Sequence, residues 1–201
     1  MKCWLPFLLL AGFMAHGQGT FIYDQQSSDE SNVIEGEGAF INRFLVSSQS
    51  FTPSLSAVGF ISLFIQNRFP EDNSGALLLV NLRSNSVSGP IMASTLLVTV
   101  TNGIFAPETF FFDDPVPVTA NTTYYFDLVR QNGGDETWTQ NVSLYNYAGG
   151  TYFFNGTSDP LGRDLWFREG IYVVPEPSSV SLVLVGSGLL VWYRRKKWPR
   201  L

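Results

Sequence analysis

Ala120-Asn121-Thr122-Thr123-Tyr124-Tyr125-Phe126-Asp127-Leu128 is the stretch on which the fold turns. A polar turn enters a strand, and along a strand successive side chains point to opposite faces. Tyr124, Phe126 and Leu128 then share one face, while Tyr125, Asp127 and Val129 share the other. One face is wholly apolar, as half of a core shared by two sheets requires.

The same texture continues on both sides of this strand. Short runs rich in Phe, Val, Ile, Thr and Tyr alternate with Gly, Pro, Asn and Asp, which is a strand-and-turn pattern. Strands are predicted near Ala39–Val46, Ser50–Thr52, Gly59–Gln66, Ala76–Arg83, Met92–Thr101, Glu108–Asp113, Thr123–Arg130, Gln140–Tyr147, Gly150–Phe154 and Asp164–Val173. Turn chemistry falls at Phe69–Gly75, Asn132–Asp135 and Asn155-Gly156, where residues tolerate positive φ or bond to their own backbone. No helical period and no internal repeat interrupts the pattern. The prediction is an all-β domain over residues 39–173, a jelly-roll-like β-sandwich. Residues 18–38 are polar and acidic and read as a flexible lead-in, with a first strand at Thr20–Tyr23.

The two ends differ from this body. Residues 1–17, MKCWLPFLLLAGFMAHG, carry Lys2, an apolar stretch from Leu5 to Ala15, and Ala15-His16-Gly17 with small residues at the −3 and −1 positions. That is the form of a cleavable signal peptide, and it implies the Sec translocon and signal peptidase as partners. At the other end, Pro175-Glu176-Pro177-Ser178 precedes an uncharged apolar run, Val180–Tyr193, and then Arg194-Arg195-Lys196-Lys197. As a helix that run covers about 21 Å, against a hydrocarbon core of about 30 Å. A transmembrane helix at about 179–193 needs Ser179 to extend it and the cations to snorkel. Its eight Leu and Val residues favour insertion by about 2 to 5 kcal/mol before Ser and Gly subtract, the strength of a temporary anchor. The basic tail, 194–201, stays cytoplasmic and sets the orientation.

Between the ends the composition excludes several chemistries. Gln18–Pro177 holds six Arg, no Lys, His or Cys, and all seventeen Asp and Glu, for a formal charge of −11. Nucleic acid is excluded as a partner, because its affinity begins with cations on phosphate. Without His or Cys there is no Ser-His-Asp or Cys-His machinery and no zinc site of the usual ligands. Only carboxylate chemistry survives, such as the acid pair of a glycan hydrolase. No catalytic residue, metal ligand or cofactor is identified. No disulfide can brace the domain, so packing must.

The order Pro-Glu-Pro-Ser, Gly-interrupted apolar helix, basic cluster over residues 174–197 resembles the PEP-CTERM sorting signal of bacterial exopolysaccharide-associated proteins. The resemblance implies that an exosortase, a membrane thiol transpeptidase, recognises Pro175, Glu176 and Pro177 at the outer face and cleaves nearby. The prolines keep that stretch extended, a form a membrane protease can grip. It also implies an inner-membrane-anchored precursor that matures to the cell surface or the extracellular matrix of a biofilm. Gln49–Pro53, Gly89-Pro90, Val118–Tyr125 and Tyr147–Tyr152 resemble bacterial surface modules of the choice-of-anchor type, which implies a jelly-roll fold and an extracellular setting without a ligand.

The remaining candidates each have two readings. Trp138, Tyr145 and Tyr147 are possible glycan contacts, since flat rings stack on sugar faces, and equally they are core. Trp166, inside Leu165-Trp166-Phe167, reads as core. Asp113-Asp114, Glu71-Asp72, Asp159 and Asp164 are solvated turn acids or oxygen donors of the kind calcium takes. Taken together, the sequence predicts a non-catalytic, exosortase-processed surface or matrix protein associated with extracellular polysaccharide. A dedicated glycan-binding module and a small carboxylate-dependent hydrolase stand as alternatives.

Overall fold

The alternating stretch around Phe126 forms a strand at Tyr124–Asn132, and its faces part as the residues dictate. Tyr124, Phe126 and Leu128 enter the core, while Tyr125 stays half-buried on the opposite face. The computed structural model describes residues 19–33, 38–41, 47–67, 75–101, 103–132, 138–174, 187–188 and 192–193. The chain divides into two compact units, Phe21–Tyr172 and a second formed of Met1–Thr20 with Val173–Leu201. The expected signal peptide, the Pro175–Ser178 box, most of the expected helix at about 179–193 and the basic tail lie outside the described residues. Among those that are described, no helix is long and apolar enough to cross a membrane.

Among its described residues the Phe21–Tyr172 unit is all-β apart from one 3₁₀ turn at Glu30–Asn32. Its first sheet runs β1 (Thr20–Gln26), β15 (Phe167–Val173), β4 (Ala57–Asn67), β10 (Trp138–Gln140), β2 (Ala39–Phe40), with β8 (Phe105–Pro117) on the far edge of β4. The second runs β13 (Thr157–Ser158), β12 (Tyr152–Phe154), β3 (Ser47–Phe51), β9 (Tyr124–Asn132), β5 (Ala76–Ser84), β6 (Ile91–Ser94), and β7 (Val98–Val100) also pairs β5. A two-stranded piece joins β11 (Val142–Ser143) to β14 (Asp164–Leu165).

The two large sheets bury one shared core. Ile61, Leu63 and Ile65 of β4, Phe110 of β8 and Phe167 of β15 face Phe51, Phe126, Leu78, Val80 and Leu82 of the second sheet, and all ten side chains are fully buried. The Phe126 and Phe167 rings meet edge-on at 5.3 Å, and Phe51 lies 5.8 Å from Phe126. Full burial of such a side chain stabilises by about 1.5–3 kcal/mol, so rings that touch both sheets hold them together.

Strand boundaries differ from expectation where neighbours override local signals. Expected to stop at Asp113, β8 runs through Pro115 and Pro117. It pairs along its length with β4 alone, so an edge strand can carry residues that donate no hydrogen bond. Expected as one strand, Met92–Thr101 breaks at Thr95–Leu97, where the Thr95 N–H bonds Val80 of the second sheet and the Leu96 N–H bonds Phe111 of the first. Both β6 and β7 pair β5, so the chain reaches across to β8 at this break and returns to the same sheet. In the lead-in the strand reaches Gln26 instead of Tyr23, because β15 supplies it with a partner. At Gly170 a Cβ would come within 2.0 Å of the Ile22 carbonyl oxygen, so only glycine admits β1 this close.

Candidate functional site

The three aromatic residues singled out from sequence are placed separately. Trp138 opens β10 opposite Asn67, and its side chain lies outside the described atoms. Tyr145 is half-buried and its hydroxyl bonds Asn141. Tyr147 sets its ring edge-on to Phe167 at 5.1 Å, accepts the Thr52 N–H at 3.3 Å and donates to Gln25 at 3.2 Å. Burial, more than the carboxylates of Glu169, Asp164 and Asp24, pushes its phenol up to about 12 against the Thr52 bond. Tyr147 therefore ties the loop after β11 to β3 and β1, with its hydroxyl fully engaged. Trp166 is buried, packs on Phe64 and donates to the Asp29 carbonyl at 2.9 Å.

The acids sort just as cleanly. Asp113 and Asp114 are exposed on the edge strand β8, and Glu71-Asp72 lies outside the described residues. Asp159 is held by the Arg163 guanidinium at 2.6 and 3.2 Å, and the Leu161 and Arg163 N–H groups also donate to it. The Arg163 hydrogen bond holds its carboxyl below the usual range. Asp164 is buried and accepts Gln49 at 2.8 Å and the Tyr147 N–H at 3.0 Å, while the Leu165 N–H donates back to Gln49. Desolvation outweighs those bonds and raises its pKa. Among the described residues no group of three His, Cys, Asp or Glu converges as a metal site would need.

Two carboxyls are driven apart in a way the sequence did not announce. Glu169 on β15 sits opposite Ile61 and so faces the sealed core, with no exposure at all. Neither of its oxygens meets a donor in hydrogen-bonding geometry. Burial first, then the charge of Asp24 and a hydrogen bond to it, push its pKa up to about 9, against a small lowering from the Gln25 backbone. Burial would also raise Asp24, yet the Leu55 and Ser54 N–H groups (2.8 and 2.7 Å), the Ser54 hydroxyl and the Gln25 amide outweigh it and leave it lowered. At neutral pH Glu169 carries the proton beside ionised Asp24.

Two surface features remain. On the outer face of the first sheet, Phe21 and Tyr23 of β1, Phe60 of β4, Phe111 of β8 and Tyr172 of β15 join ring to ring at 4.9–6.2 Å, and the Arg168 guanidinium lies 5.5 Å from the Tyr23 ring centre. Phe21, Tyr23 and Tyr172 are 39%, 50% and 38% exposed. The second feature is a cleft of about 480 Å3 between β2 and the β12–β13 hairpin, walled among the described residues by Phe40, Tyr152, Phe154, Thr157, Leu161 and the Asp159–Arg163 pair. The hairpin closes on Asn155-Gly156, both at positive φ (50° and 79°), which matches the strand twist. Sequence reasoning found that turn but missed the cleft, whose walls come from three distant segments. It also passed over the Phe21-Ile22-Tyr23 alternation, the one local sign of the outer aromatic face.

Residues 173–197 match the PEP-CTERM protein-sorting motif, which takes in Pro175, Glu176, Pro177, Ser178 and Arg194 to Lys197. Among curated proteins none matches the chain. The motif marks an exported chain directed to exosortase, with a membrane-anchored precursor.

Proposed function

We propose that this chain is a non-catalytic cell-surface or matrix protein, exported by the Sec route, released from its C-terminal anchor by exosortase and associated with extracellular polysaccharide. The observation that carries the reading is the match over residues 173–197, where a Pro-Glu-Pro box, a short apolar run and four cations follow one another in fixed order. A weak anchor of about 21 Å suits a precursor that is to be cut. Strands that cross between two sheets around one core support a jelly-roll-like cargo domain of the kind found on bacterial surfaces.

Absence of catalysis is supported by where the raised carboxyls lie. Separated pKa values are what acid and base roles need, as in Glu169–Asp24 and Asp164–Asp159, but Glu169 and Asp164 are both buried, so no glycosidic bond can reach either. Intact-mass measurement of the mature protein tests the proposal. Cells with active exosortase should yield a species lacking Ser179–Leu201, and cells without it a species retaining them. Retention of those residues in both overturns the processing step.

A further inference from the structure

We propose that the cleft between β2 and the β12–β13 hairpin binds one or two rings of a neutral polysaccharide. This inference rests on the reading that the exported domain associates with extracellular polysaccharide, and it assigns the surface.

The cleft combines the elements that recognise a pyranose. Its volume of about 480 Å3 falls within the range of small-ligand sites, which is roughly 300–1,000 Å3. Phe40 and Phe154, 40% and 45% exposed, present ring surface to it from the two large sheets. A sugar carries C–H bonds on its flat faces, and aromatic rings take such faces at little conformational cost. The sugar's edge carries hydroxyls, and the walls match these with the Thr157 and Ser158 side chains and the Arg163 guanidinium. Arg163 is fixed in a fork by Asp159 and is 36% exposed, so it is oriented before any ligand arrives.

Charge selects the class of sugar. Arg163 and Asp159 are the ionic groups of the described walls, and they neutralise one another across 2.6 Å. The surrounding ectodomain carries −11, which repels uronate or phosphate polymers at low salt. A neutral polyhydroxyl chain meets neither penalty. The cleft is favoured over the outer aromatic face of the first sheet because its walls set ring surface beside a guanidinium already oriented by a carboxylate.

The mature chain, recovered as its producer exports it, is run in native gels cast with laminarin, with hydroxyethylcellulose, and with the neutral and acidic fractions of the producer's own polysaccharide. Wild type should be retarded by a neutral gel. Phe154→Ala, a truncation of a half-exposed ring, and Thr157→Trp, which fills the cleft, should each lose affinity about tenfold or more with an unchanged melting temperature. Tyr23→Ala, on the outer face of the other sheet, should bind as wild type does. If wild type is retarded and both cleft variants match it, the cleft assignment is wrong while the polysaccharide reading stands. Retardation by the acidic fraction alone overturns the neutral class. No retardation in any gel overturns both the cleft and the polysaccharide association.

Discussion

Glu169→Gln should stabilise this protein at neutral pH, although it removes a charge-bearing residue from the core. In the unfolded chain the Glu169 carboxyl titrates near 4.5, and in the folded chain near 9. A group whose folded pKa is raised keeps its proton where the unfolded chain gives its own up. Stability is therefore fully present below about pH 4.5 and falls as pH climbs toward 9, by about 1.4 kcal/mol per pH unit. At pH 7 the loss relative to a group that never ionises is about 3 kcal/mol, a ceiling because the fold can relax around the ionised form. Glutamine has the same shape and carries no charge at any pH in this range. For a domain of this size the gain corresponds to about 6–12 °C in melting temperature at pH 7 and to nothing at pH 4. Calorimetry or denaturant titration of both forms from pH 4 to 8 reads the difference directly. A variant that is less stable at pH 7, or whose advantage does not grow with pH, would refute the assignment of the buried proton.

Gly170→Ala should drive β1 from β15, because its Cβ would sit 2.0 Å from the Ile22 carbonyl oxygen; a loss of about 1–3 kcal/mol and fast amide exchange confined to β1 are expected. Phe126→Ala empties the point where both sheets meet, between Phe51 and Phe167, and should cost about 3–5 kcal/mol by chemical denaturation. Gly156→Val places a β-branched residue at φ 79° in the hairpin turn and should cost about 1–3 kcal/mol, with the core contacts elsewhere retained in the NMR spectrum. Low pH acts through Asp24: its lowered pKa contributes stability present above its unfolded value of 3.8 and lost as pH falls through the folded value, so Asp24→Asn should flatten the acid limb of the stability curve.

What the sequence made legible was whatever depends on near neighbours. Alternation at Tyr124–Leu128 announced the strand and its buried face, and Asn155-Gly156 announced a hairpin turn, because both signals are complete within a few residues. The sorting segment is legible for the same reason, being a linear order of box, apolar run and cations. The misreadings arise where a distant partner decides. Pro115 and Pro117 look like strand breakers until β4 is seen to bond β8 along one edge only. Thr95 and Leu96 look like strand until two sheets are found claiming them. Glu169 is the sharpest case: alternation along the expected strand Asp164–Val173 puts it on the face of Leu165 and Phe167, but only the pairing with β4 shows that a carboxyl is buried there.

That inward acid bears on how an exported chain holds its fold without disulfides. With no thiol in Gln18–Pro177, side-chain hydrogen bonds add to the β15 pairing and ring contacts that hold the first strand: Asp24 caps the Ser54 and Leu55 amides, Gln25 accepts from Tyr147, and Ser27, just past the strand, accepts the Phe167 N–H at 2.9 Å. Each is polar and sits beside buried surface, where an unmade hydrogen bond costs about 1–3 kcal/mol. Losing one weakens the others, since they fix one strand in one register. The β1 edge thus opens as a unit and does not fray residue by residue. Neutral Glu169 lies at the centre of this clasp, so an acidic surrounding tightens it and an alkaline one loosens it. Amide exchange of Phe21–Gln26 followed from pH 5 to 8, after correction for intrinsic exchange, should show protection falling across the whole strand together in wild type and staying constant in Glu169→Gln. Residue-by-residue loss beginning at Phe21, or the same pH dependence in both forms, would mean that the clasp is not governed by this proton.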